Sequence, residues 1–152
     1  MNRQQILTKM EIAWADFNES YAGLSDAQMA QPGVTEDWSV KDLIAHVCWW
    51  EEEALKHLPH ILQGVRPPRY SVLYGGIDAF NAQMTELKRG MPLDEVRRQA
   101  DETHGRLVDY LRDAPEELFA SDTRFRRRLR LDTYSHYPIH TEAIRTWRAR
   151  QG

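Results

Sequence analysis

The chain has 152 residues, a formal net charge of -3 and one cysteine, so an internal disulfide and a cysteine-rich zinc site are excluded. Its hydrophobic and charged fractions, 41% and 28%, are those of an ordinary globular protein. No stretch reaches the roughly 20 apolar residues of a membrane span, and residues 1–10 carry no secretory signal. We therefore expect one domain over residues 1–152, a cytoplasmic location and no membrane partner. The acidic balance also leads us to expect no nucleic-acid partner.

Residues 3–22 form the first predicted helix, with Ile6, Leu7, Met10, Ala13, Trp14, Phe17 and Tyr21 as its apolar stripe. Gly23 is placed to end it. Ser25 can cap one further short turn before Pro32-Gly33 breaks the pattern. The second helix is predicted from Val40 to Leu62. Ser39 caps it, Asp42 stands where a capping box needs an acceptor, and Val40, Leu43, Ile44, Val47, Trp50 and Ala54 recur at helical spacing. Pro59 predicts a kink or stop near His57, and His57 and His60 are expected to be exposed. Cys48 lies within this helix and reads as a buried structural thiol.

Gly64 to Pro68 reads as a linker and Tyr74-Gly75-Gly76 as a turn. A helix is expected from Ile77 or Asp78, broken at Gly90-Met91-Pro92, and another to about Asp113. His104 neighbours the apolar side of the latter. Residues 124–130 hold five arginines in seven positions, which we read as a solvated connecting face. The last helix should start near Asp132 or Thr133. His136 and His140, four apart, then share a face close to its start, because Pro138 fits only the first turn. With no strand alternation anywhere, four long amphipathic elements predict an all-α four-helix bundle with long connections.

If the starts of the second and last helices lie side by side, His46, His136 and His140 can meet. Neutral imidazoles suit a divalent metal such as Zn, Ni or Fe, and a three-histidine site leaves room for a water to be activated. Glu53, seven places past His46 on the same helix, is the candidate catalytic carboxylate. Trp50, Tyr74 and Tyr137 could wall a small-molecule cleft, with Asp78 and Asn81 as polar contacts. The spacing is equally compatible with a hydrogen-bonded histidine pair over a polar cleft.

The stretch Trp38-Ser39-Val40-Lys41-Asp42-Leu43-Ile44-Ala45-His46, with Trp49 to Glu53 after it, resembles the second helix of the DinB-like four-helix-bundle superfamily. Ile77-Asp78-Ala79-Phe80-Asn81 and Tyr134-Ser135-His136-Tyr137-Pro138-Ile139-His140 resemble, more narrowly, the ClbS/DfsB family. The resemblance implies a DinB-like fold and a metal triad on His46, His136 and His140. It also implies a hydrolase or detoxification role on a reactive small molecule. The wider superfamily implies, as the alternative, a metal-dependent transferase using bacillithiol, mycothiol or glutathione. A non-enzymatic small-molecule binding protein is a third reading, and a homodimer through an apolar bundle face is compatible with the pattern.

Overall fold

The computed structural model describes residues 1–151. In chain order the helices are α1 (Arg3–Ser20), α2 (Asp26–Met29), α3 (Val40–Leu62), α4 (Tyr70–Leu73), α5 (Ile77–Lys88), α6 (Leu93–Arg112), α7 (Glu117–Ala120), α8 (Arg124–Asp132) and α9 (Tyr137–Arg150). Among the described residues there is no strand, only an isolated bridge between Thr35 and Trp38. The long helices α1, α3, α6 and α9 make the bundle. The expected all-α, DinB-like architecture is what forms.

Helix α3 is the axis. It packs along α6 and α8 and is touched by α5, while α9 lies chiefly against α1. Its start is a full capping box: Asp42 N–H donates to Ser39 Oγ at 3.1 Å, and Ser39 N–H donates to Asp42 Oδ2 at 3.0 Å. Its buried stripe is Val40, Leu43, Ile44, Val47, Ala54 and Leu58, each 0–1% exposed. Pro59 does not stop α3, which continues to Leu62. Only the last turn follows the proline, which costs the helix the one bond that residue 59 would have given to the Leu55 carbonyl.

Several boundaries differ from the expected ones for identifiable reasons. α1 ends at Ser20, two residues early, and the chain turns through Gly23 at φ +81°, a conformation that glycine adopts freely. α5 and α6, by contrast, divide at Gly90-Met91-Pro92 as expected. Asp132 does not cap the last helix: it ends α8, is buried, and accepts from Arg128 Nε at 2.6 Å. A turn over 133–136 follows, so α9 starts at Tyr137. The arginine-rich run is itself helical. Phe125 and Leu129 of α8 are buried at 1% and 0% exposure, and Arg128 is turned inward to Asp132 and Tyr70. His57 is also buried, beside Glu53 at 3.4 Å, whereas His60 is exposed as expected.

Candidate metal centre

Two separated helix starts bring the three histidines together. His46 lies on the second turn of α3. His136 is the residue before α9 and His140 is on its first turn, with Pro138 between them at a position that tolerates a missing N–H. The three rings offer ligand atoms that all lie within 4.8 Å of one another. His46 Nε2 stands 3.0 Å from His136 Nε2, and His140 Nε2 stands 2.9 Å from the same atom. The rings are steeply inclined, at 66° to 88°, so they face edge-on rather than stack.

Proton counting makes this geometry informative. A neutral ring nitrogen carries either one hydrogen or one in-plane lone pair. His136 Nε2 can therefore donate once or accept once, yet it faces two nitrogens at hydrogen-bond distance. One of the two contacts is therefore left without a hydrogen bond of its own unless a positive centre is shared among the rings. The rings do not become cations readily. Burial pushes His46 down to about 2, with the neighbouring His140 and His136 adding to the effect. Burial and His140 push His136 down to about 3, and burial takes His140 to about 4. At neutral pH three uncharged nitrogen donors converge, a donor set that fits a divalent transition metal. All three Nδ1 atoms are buried without a hydrogen-bond partner, so no carboxylate or carbonyl orients these rings from behind.

The surroundings of the centre are aromatic. Trp38 lies 4.8 Å from the His46 ring, between centroids, and Trp49 lies edge-on to it at 5.0 Å. Trp38 is placed by the turn at Thr35–Trp38, where Trp38 N–H donates to Thr35 O at 2.9 Å. It also lines an open groove of about 620 Å³ together with Thr35, Glu36, Asp37, Asp78, Asn81 and Arg89. The sequence reading did not single out Trp38, although it heads the motif that contains His46.

The other candidate residues fall in different places. Asn81 accepts from both neighbouring indoles, Trp49 Nε1–H at 3.2 Å and Trp50 Nε1–H at 2.9 Å. Two donors on one oxygen fix the amide's orientation, and Asn81 lines the groove. Asp78, one turn earlier on α5, is exposed on the same groove. Trp50 is only 8% exposed and packs on Tyr70 and Phe80. Tyr74 is half-buried and closes over Phe80 at 4.6 Å. Tyr137 is not on a cleft wall: it is fully buried, and its hydroxyl donates to Glu51 Oε2 at 2.9 Å. Glu53 hydrogen-bonds none of the three imidazoles. It accepts from Tyr70 O–H at 2.9 Å, about 10 Å along α3 from His46 at 1.5 Å per residue.

Sequence reasoning missed Glu51. The signal was present: Val47, Glu51, Ala54 and Leu58 follow one stripe, and all four are 0% exposed. A glutamate in that register has to find partners inside the protein. Cys48 is buried beside Thr103, and burial pushes its thiol up to about 12. It is the structural thiol expected of it.

A helical bundle with a three-imidazole centre between its second and last long helices is the class that fold and site define. The chain belongs to the mycothiol maleylpyruvate isomerase N-terminal domain family, whose profile matches residues 10–136. Among solved structures it is similar to DfsB, described as a sibling lethal factor precursor, with TM-score 0.80 and 15% identity over 99% of this chain and 97% of that one. It is similar to the colibactin self-resistance protein ClbS, solved in complex with double-stranded DNA, with TM-score 0.79 and 13% identity over 95% and 94% of the two chains. A Streptococcus pneumoniae protein gives TM-score 0.82 and 13% identity over 98% and 91%. No curated protein sequence matches the chain. The likeness to the ClbS/DfsB group read from the motifs is thus met in the fold.

One expectation is corrected here. A nucleic-acid partner was excluded on net charge, but ClbS, which shares this fold, is solved in complex with double-stranded DNA. The exclusion does not stand, because a net charge averages over faces that can differ in sign. Among the described residues, no helix is long and apolar enough to cross a membrane.

Proposed function

We propose that His46, His136 and His140 hold a divalent metal and that the protein adds water to a reactive electrophilic small molecule, a detoxifying hydrolysis. The observation that carries this reading is His136 Nε2, which faces two other ring nitrogens at 3.0 and 2.9 Å and can satisfy only one of them with a proton. A metal held there would supply Lewis acidity and lower the pKa of a water towards neutrality. The chain's own residues do the rest. Trp38 and Trp49 screen His46 from bulk water. Asn81, oriented by two indoles, presents a fixed N–H donor, and Asp78 presents an acceptor one turn away. Trp50 and Tyr74 back the aromatic wall behind them. We assign Glu53 to anchoring Tyr70 at that wall.

A second reading has a thiol in place of water, and the family match favours it. Both readings use the same three imidazoles. They separate when purified protein, freed of metal and reloaded with Zn, Ni or Fe, is given strained-ring electrophiles in ¹⁸O-labelled water. Hydrolysis predicts label in the product and no thiol requirement. Turnover that needs mycothiol, bacillithiol or glutathione and leaves the product unlabelled would support the second reading instead. Ligand bound but recovered unchanged under every condition would make this a binding protein.

A further inference from the structure

The interior holds a second polar system that the metal centre does not use. Glu11 on α1, His104 on α6, Glu51 on α3 and Tyr137 on α9 form one hydrogen-bonded chain that threads all four long helices. His104 Nε2 lies 2.6 Å from Glu11 Oε1 and His104 Nδ1 lies 2.7 Å from Glu51 Oε2, the oxygen that also accepts from Tyr137 O–H at 2.9 Å. The His104 ring lies flat on Trp14, 3.9 Å between centroids and 5° between planes. Burial pulls the His104 pKa down, but its bonds to Glu51 and Glu11 and their charges outweigh burial and leave it above the ordinary value. The ring is thus held between two carboxyl groups and an indole face. It gives a hydrogen-bond partner to Glu51, which has no exposure at all and whose own pKa burial raises.

The end of this chain reaches the metal-ligand helix at its weakest point. Nothing caps α9: His136 precedes it with no side-chain cap bond. α9 packs mainly on α1, and its contact with α3 is sparse. Yet the imidazole centre requires α3 and α9 to be in register. Apart from the His46–His136 contact itself, Tyr137–Glu51 is the only side-chain hydrogen bond between α3 and α9 among the described residues. We propose that Glu51 and Tyr137 are positioning residues, held by His104 and Glu11, that fix the first turn of α9 so that His136 and His140 meet His46. This rests on the metal reading of that centre.

The test is Tyr137→Phe, which removes one hydroxyl and keeps the ring in its pocket. Apo wild type and variant are titrated with Co²⁺, and amide hydrogen exchange is followed residue by residue. We expect about tenfold weaker Co²⁺ binding, the lower end of what losing a supporting partner costs a metal site. We also expect faster exchange confined to residues 137–141, with α3 and α6 amides unchanged. Glu51→Gln, which keeps a carbonyl for the tyrosine hydroxyl, should retain more of that protection than Tyr137→Phe. Unchanged affinity and exchange in Tyr137→Phe, or acceleration spread evenly over all helices, would overturn the positioning role. If wild type takes up no Co²⁺, the metal reading fails by itself, and the exchange data alone decide the positioning role.

Discussion

His136 concentrates the energetics of the site in one residue. Its folded pKa of about 3, with about 2 for His46 and about 4 for His140, lies below the ordinary 6.5 through burial and the neighbouring rings. An unfolded chain therefore takes up protons below pH 6.5 that the metal-free folded chain refuses. Stability is fully present above about pH 6.5 and is lost as pH falls towards 4, at about 1.4 kcal/mol per pH unit for each such ring. Asp132 works in the opposite sense: burial raises it from 3.8 to about 6, only partly countered by Arg128, so it favours the fold on acidification. Taken by itself, the imidazole centre destabilises the fold in acid. Urea unfolding of metal-free protein between pH 7 and 4.5 should show it. His136→Gln should reduce the pH slope by about 1.4 kcal/mol per unit. A slope unchanged by that substitution would mean that the ring titrates freely in the fold.

Asn81 supports a second prediction at the same scale. Its side-chain oxygen accepts from the indole N–H groups of Trp49 and Trp50, which are 2% and 8% exposed. Asn81→Ala leaves both donors without that acceptor and should cost about 2–6 kcal/mol, on the order of 1–3 for each buried donor. Asn81→Asp retains an oxygen acceptor and should cost clearly less. Thermal unfolding of the two variants checks the order, and equal losses would assign the cost to packing instead.

Among the elements, α3 carries most of what could be read in advance. Its bounds, its capping box and its apolar stripe follow from local chemistry, and Ser39→Ala should cost about 1 kcal/mol of stability, read by chemical denaturation. The convergence of His46 with His136 and His140 was legible because Pro138, tolerated only in a first turn, puts both histidines close to the start of the last helix. What stayed hidden depended on distant partners. His57 was expected at the surface because it stands near a proline, but packing encloses it with Glu53. The arginines of 124–130 looked like a solvated face, but Arg128 finds Asp132 and Tyr70 only once α8 and α4 are placed. Tyr137 looked like a wall of the cleft because periodicity gives the face of a residue and not the depth at which its hydroxyl ends. The start of α9 was misplaced because Asp132 is a good helix cap by composition, and its bond to Arg128 removes it from that task.

For the whole molecule, the bundle closes around one apolar cluster that reaches from Ile6 to Trp147. Two polar systems in this interior join α3 to α9. One is the neutral imidazole centre between α3 and α9. The other is the hydrogen-bonded chain through Glu11, His104, Glu51 and Tyr137. They suit different tasks: uncharged lone pairs attract a cation, and the bonds of the second link the helices. The fold is shared with DfsB and ClbS at 15% and 13% identity, so the architecture survives wide change in sequence. The chemistry of this chain has to be sought in its own three imidazoles and the groove beside them.

The most direct measurement is calorimetric titration of tag-free, metal-stripped protein with Zn²⁺, beside His46→Ala, His136→Ala and His140→Ala, with folding of each confirmed by circular dichroism. One equivalent bound by the wild type and severe loss of that binding in each folded variant is the predicted result. No saturable uptake by the wild type, or uptake that survives removal of all three rings, would contradict it.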